Sequence, residues 1–206
     1  MIKFWDIEQG SDAWLELKAP LYTGTCAEKL LGYSGKVKII DGVVSAYALN
    51  EITGFSGNFY TKRGHLLEDE AIELYQQITG EVGIRLEDGR RVGFVTNTDY
   101  PSSGYSPDDV YPDRTIECKA FEPVKHMKMY RGNIPLKVLA QCYFGMLICG
   151  VRLCHLLIYN PDMYDENKPF DEKTNNPAHC FKIIEIKYRR NIENNFKRIL
   201  KGAACV

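Results

Sequence analysis

Apolar residues recur at helical spacing over 62–78, where Leu67, Ala71, Leu74, Tyr75 and Ile78 form one stripe that Thr79-Gly80 stops. A second helical run starts at Pro135, with Leu136, Leu139, Ala140, Tyr143, Leu147 and Ile148 apolar, and stops at Gly150. Between the two, short strand-like runs are predicted at 82–86, 91–96, 104–110 and 115–119, with a turn at Asp88-Gly89. The continuous apolar run Leu153–Tyr159 predicts a buried strand. A polar loop over 161–178, a strand over 180–186 and a helix over 191–200 follow. Upstream, Ser11 or Asp12 caps a helix running through Trp14, Leu15 and Leu17 to Lys18, and Pro20 breaks the chain. Thr23 or Thr25 opens a short helix ending at Gly32; a loop over 32–42, a helix over 43–52 and a turn over 54–58 complete the pattern. This order predicts an α/β fold: a central mixed β-sheet flanked by helices.

The length of 206 residues suits one domain over 1–206 with a full core. The longest apolar run, Cys142 to Val151, is too short to span a bilayer, so no membrane partner is expected. The first residues, Met1-Ile2-Lys3-Phe4-Trp5-Asp6, lack the layout of a signal peptide. Seven cysteines without framework spacing predict a reduced, cytoplasmic protein. A net charge of −1 disfavours a general nucleic-acid coater, but permits an enzyme that concentrates positive charge in one groove. The basic run Lys187, Arg189, Arg190, Lys197, Arg198 and Lys201 suits a solvated helix face or a DNA contact.

Candidate chemistry centres on Asp108 and on Glu117-Cys118-Lys119. Strand side chains repeat every second residue, so Glu117 and Lys119 share a face. Two carboxylates and an ammonium at one place suit a divalent metal that activates water for phosphodiester cleavage. Asp108 and Glu117 would be Mg²⁺ ligands, the Cys118 backbone carbonyl another, and Lys119 would face the attacking water. A surface hairpin with a solvated salt bridge would show the same spacing. Glu68, at the edge of the long helix's apolar stripe, can reach a metal beside the sheet or remain a surface acid. Gln141 interrupts an apolar helix and must find partners, either backbone groups or a catalytic water or phosphate. Lys18 and Thr23-Gly24-Thr25 suit helix capping, or a phosphate held on helix N-terminal amides. Trp14, Tyr22 and Tyr60 are aromatic candidates for stacking on a frayed base, with core packing the alternative for Trp14. His65, His126, His155 and His179 do not pair at metal-ligand spacing, and neither do Cys142, Cys149 and Cys154.

These signals fall in an order that resembles the lambda exonuclease/YqaJ-type viral recombinase branch of the PD-(D/E)XK nucleases. Glu8-Gln9-Gly10-Ser11-Asp12-Ala13-Trp14 is similar to that family's "EQG-x-x-AW", and Thr23-Gly24-Thr25 to its "T-A/G-S" turn. Gly64 to Ala71 resembles "G-x-x-x-E-x-x-A", Ser106-Pro107-Asp108 "SPDG", and Glu117-Cys118-Lys119 "E-L/C/I-K". Ala140-Gln141 and Tyr159-Asn160-Pro161-Asp162-Met163 resemble the helix glutamine and the "Y-D-P-x-M" strand end.

The resemblance implies a restriction-endonuclease-like core and a Mg²⁺-dependent 5′→3′ exonuclease on double-stranded DNA ends, with Mn²⁺ able to substitute and two ions per site. It further implies a ring-shaped homotrimer, a single-strand annealing protein as partner, and a phage or prophage source. Carried over by residue, Asp108 and Glu117 bind metal and Lys119 activates water. Glu68 is a further acid near the metals, Gln141 assists, and Lys18, Thr23 and Thr25 hold the 5′ phosphate. Asp109 stands where the family has glycine. Lys18 stands where it has arginine, keeping the charge without the bidentate fork. A structure- or site-specific endonuclease of the same superfamily, and a non-catalytic DNA-end-binding module, are the competing readings.

Overall fold

The computed structural model describes residues 1–37, 44 and 59–203. The expected helix over 43–52, the turn over 54–58 and the side chain of Tyr60 lie outside the described residues, Val44 excepted.

The elements run β1 (Ile2–Trp5), α1 (Asp12–Lys18), a 3₁₀ turn Gly24–Cys26, α2 (Ala27–Leu30), α3 (Phe59–Thr79), β2 (Phe94–Asn97) and β3 (Gly104–Tyr105). Then come β4 (Asp109–Val110), β5 (Arg114–Lys119), α4 (Pro123–Tyr130), α5 (Leu136–Cys149), β6 (Leu153–Tyr159), β7 (Phe181–Lys187) and α6 (Arg190–Ala203). The strands form two sheets, ordered β1-β2-β3 and β4-β5-β6-β7. The second sheet is mixed: β5 and β6 are parallel, with Glu117 opposite Leu156, and the other pairs are antiparallel.

Helices cover both faces of this mixed sheet. Ala71, Ile72 and Tyr75 of α3 pack on Ile116, Cys118 and Leu157. Helix α5, buried nearly all round, packs with Cys154, Leu156 and Ile158 on the other face and with Phe196 and Leu200 of α6. Phe144 meets Phe196 edge-on, with ring centroids 5.5 Å apart. Gly150 ends α5 at φ 68°, a left-handed position that glycine adopts without a Cβ penalty.

Four expectations are corrected. The strand expected over 104–110 is two strands in different sheets, parted at Ser106-Pro107-Asp108. Pro107 has no N–H for a ladder, so the break falls there. The segment 82–86 is not a strand: it makes one backbone bond to β4 (Ile84 N–H to Val110 O, 2.7 Å) and an isolated Arg85–Arg91 bridge. The strand expected over 91–96 covers Phe94–Asn97. The loop over 161–178 contains 3₁₀ turns at Pro161–Met163 and, at its end, Pro177–His179.

Two elements were not expected. Strand β1 pairs with β2 as an edge strand, Ile2 opposite Asn97. Helix α4 starts with Pro123 at its first turn, and the Glu122 carboxylate accepts from the N–H groups of Val124 and Lys125 (2.7 and 3.0 Å).

Candidate active site

The break between β3 and β4 builds the site. Asp108 ends the turn and Glu117 lies on the neighbouring β5, so both carboxylates meet at one end of the mixed sheet. One Asp108 oxygen accepts the Cys118 N–H at 2.6 Å; the other accepts no hydrogen bond among the described residues. Glu117 is buried and its two oxygens are divided: Oε1 accepts from Lys119 Nζ at 2.5 Å and Oε2 from the Tyr105 hydroxyl at 2.6 Å. Glu117 and Lys119 share a face, as the strand period requires.

The N-terminal segment clamps the turn that carries Asp108. Trp14 is buried, and its indole N–H reaches Ser106 Oγ at 3.1 Å; the Gln9 amide donates to Pro107 O at 3.0 Å. Core packing is thus the outcome for Trp14. Lys18, one helical turn on, is buried with its ammonium 3.7 Å from the centre of the Trp14 ring. The Thr23 and Thr25 hydroxyls are 2.9 Å apart in the adjacent turn. A Cβ at Gly24, between them, would lie 3.3 Å from the Tyr105 ring and 3.9 Å from the Gln141 side chain. Asp108, Glu117, Lys119, Gln141, Lys18, Thr23 and Thr25 therefore form one continuous corner, joined through Trp14 and Tyr105.

No family model matches the sequence, and no curated protein matches it. Solved structures do. An alkaline exonuclease (LHK-Exo) from Laribacter hongkongensis shares 18% identity at TM-score 0.60, over 95% of this chain and 93% of that one. The same exonuclease in complex with dAMP superposes at TM-score 0.64 with the same identity and coverage. A phage-related exonuclease from Haemophilus somnus 129PT shares 17% identity at TM-score 0.55, over 92% and 94% of the two chains. The chain has the fold of these exonucleases. The resemblance read from the motifs is borne out at the level of fold.

Within this fold the corner crowds three carboxyl groups around one ammonium. Burial, and then the neighbouring Glu68 and Glu117 carboxylates, hold the Asp108 carboxyl well above its ordinary range. Glu68 is also raised, first by burial; Arg91 and Lys119 pull it down and Glu117 pushes it up. Burial disfavours the Lys119 ammonium, but Glu117 and Asp108 outweigh it, so Lys119 stays charged. Among the described residues no three His, Cys, Asp or Glu side chains form a ready-made metal cage. Mg²⁺ needs none, since it keeps several waters and takes one or two carboxylates. The hard oxygens of Asp108 and Glu117, crowded by Glu68, fit that ion.

A cavity of about 570 Å³ opens beside Asp108 and Glu68, lined also by Gln9, Arg90, Arg91 and Asp69. Arg91 is ion-paired with Asp69. Asp109 turns away from this cleft. Its side chain is fully buried and takes two hydrogen bonds from Arg85, at 2.8 and 3.0 Å. Gly83 leaves the space that the carboxylate fills. Asp109 is therefore one half of a buried ion pair and no part of the corner.

Tyr105 and Gln9 carry no candidate chemistry in the sequence reading, although both lie in or beside the quoted motifs. A buried tyrosine looks like core, and only the sheet break aims its hydroxyl at Glu117. Of the basic C-terminal run, Lys187 pairs with Glu185 and Lys197 with Glu193. His155 accepts or donates at Tyr75 OH (2.7 Å), away from the corner. No helix among the described residues is long and apolar enough to cross a membrane.

Proposed function

We propose that the chain is a Mg²⁺-dependent 5′→3′ exonuclease on double-stranded DNA ends, releasing nucleotides and leaving 3′ single-stranded overhangs. The observation that carries this reading is the joining of Asp108, Glu117 and Lys119 to the Lys18 and Thr23–Thr25 corner within a shared exonuclease fold. Bound Mg²⁺, or Mn²⁺ in its place, would polarise the scissile phosphate and lower the pKa of water, with two ions present beside substrate. Asp108 and Glu117 hold the metal, with Glu68 and the Cys118 carbonyl as further oxygens. Lys119, kept cationic by its carboxylates, orients the attacking water and faces the charge that develops on the phosphate.

Lys18, Thr23 and Thr25 hold the terminal 5′ phosphate, and Gln141 reaches toward the same turn. Contacts of this kind read backbone and not sequence, which suits end-resection. The dAMP complex of a similar fold supports a mononucleotide product. A homotrimeric ring, an annealing-protein partner, and cytoplasmic action in a phage-infected host complete the reading.

The test uses linear duplexes labelled at either strand end, with and without a 5′ phosphate, beside a closed circle, all with Mg²⁺. Release of 5′-terminal nucleotides from the linear duplex alone is the expected result. Cutting of the circle favours an endonuclease, and no cleavage at all leaves an end-binding module.

A further inference from the structure

The Tyr105 ring is 2% exposed and sits in a slot made by two glycines. A Cβ at Gly145 would lie 2.6 Å from the ring, and one at Gly24 would lie 3.3 Å away. Gly145 is in the interior of α5, where glycine costs about 1 kcal/mol relative to alanine, so its place there has a packing reason. Gln141 precedes Gly145 by four residues and shares its helix face. The ring thus touches the phosphate-side turn through Gly24 and α5 through Gly145, while its hydroxyl holds Glu117 Oε2.

We propose that Tyr105 is a positioning residue: it fixes the rotation of the Glu117 carboxylate, leaving Oε1 toward Lys119, and links that carboxylate to the Thr23–Thr25 turn. The proposal rests on the reading of Glu117 as a metal ligand. Hydrogen-bond partners of ligating carboxylates change metal affinity or activity by about 10–100-fold when removed. The hydroxyl is the only atom that Tyr105→Phe deletes, and the two-glycine slot keeps the ring in place.

Tyr105→Phe is therefore expected to raise the Mg²⁺ concentration for half-maximal rate, and to lower kcat, each by about tenfold. KM for a linear duplex should stay unchanged, because the ring and the phosphate turn remain. Mn²⁺ binding followed by EPR should weaken by a similar factor, and thermal melting confirms the fold. Gly24→Ala is the second variant. It keeps the hydroxyl and pushes the ring, and it should shift the metal dependence in the same direction even if Tyr105→Phe fails to fold. Wild-type metal dependence in both variants, with the parent enzyme active, overturns the proposal. A parent protein that binds no Mn²⁺ and cleaves nothing overturns the underlying reading instead, and this proposal with it.

Discussion

Replacing Asp109 with alanine separates a buried ion pair from the candidate site that lies one residue away. The Asp109 side chain is 0% exposed and forks onto Arg85 Nη1 and Nη2 at 2.8 and 3.0 Å. Removing one partner of a buried pair costs about 3–5 kcal/mol, chiefly because the remaining charge stays unpaired. Arg85 keeps 22% of its side-chain exposure and can rehydrate in part. The cost should therefore fall near the lower figure, about 3 kcal/mol. For a chain of this size each 1 kcal/mol moves the melting temperature by about 2–4 °C, so Asp109→Ala should melt about 6–12 °C lower. Calorimetry at pH 7 without metal measures it. The double variant with Arg85→Met removes the stranded charge and should recover part of the loss, a coupling that a double-mutant cycle reads directly. Nuclease rate at 25 °C should remain within a few-fold of wild type. A variant that melts like wild type yet loses turnover would refute this placement and put Asp109 in the metal shell.

Three further outcomes follow from the same geometry. Asp108→Asn keeps an acceptor for the Cys118 N–H and removes one of three crowded carboxylates. Because the folded carboxyl sits above its unfolded value, its charge opposes folding once pH exceeds that value. The variant should then be more stable than wild type at pH 7 without metal, by about 0.5–2 kcal/mol, and should lose the stabilisation that Mg²⁺ gives the parent. Lys18 is lowered to about 7, by burial against a small opposing effect of Cys26. Its neutral form is the one folding favours, so the cost of burying the charge appears as pH falls from 10.5 toward 7. Preference for 5′-phosphorylated over 5′-hydroxyl duplexes should decline from pH 6 to pH 8.5, as Lys18 loses its proton, and Lys18→Met should abolish that dependence. Gln9→Ala frees the Pro107 carbonyl and should lower kcat with little change in melting temperature, measured on linear duplex.

Much of this fold is legible from apolar spacing, and the exceptions have physical reasons. Helices α3 and α5 carry long stripes that must face a sheet, so their ends fall close to the expected ones. Strand β1 leaves no such mark: Ile2, Lys3 and Phe4 are all exposed, and pairing with β2, not burial, holds it. In α4 the buried residues are His126 and Met129, too few to make a stripe. At the site, Glu117 and Lys119 stand out because strand alternation fixes their shared face, and Asp108 because it sits at the turn just before them. Tyr105 does not, since its role depends on where two sheets part. Asp109 is instructive in the opposite way. Its neighbour suggests metal chemistry, whereas the alternation of β4 and the bare Gly83 send it into an ion pair.

We propose that Asp108, Glu117 and Lys119 form a metal-dependent cleavage centre. Its most direct test is nucleotide release from a linear 5′-phosphorylated duplex by wild type and Lys119→Ala, each with Mg²⁺ and with EDTA. Wild type should release nucleotides only with Mg²⁺. Lys119→Ala should bind the duplex with unchanged affinity and turn over about 10²–10⁴-fold more slowly, the range for loss of a group that assists proton transfer. Equal turnover by the two proteins, or release by wild type in EDTA, would rule out this cleavage centre.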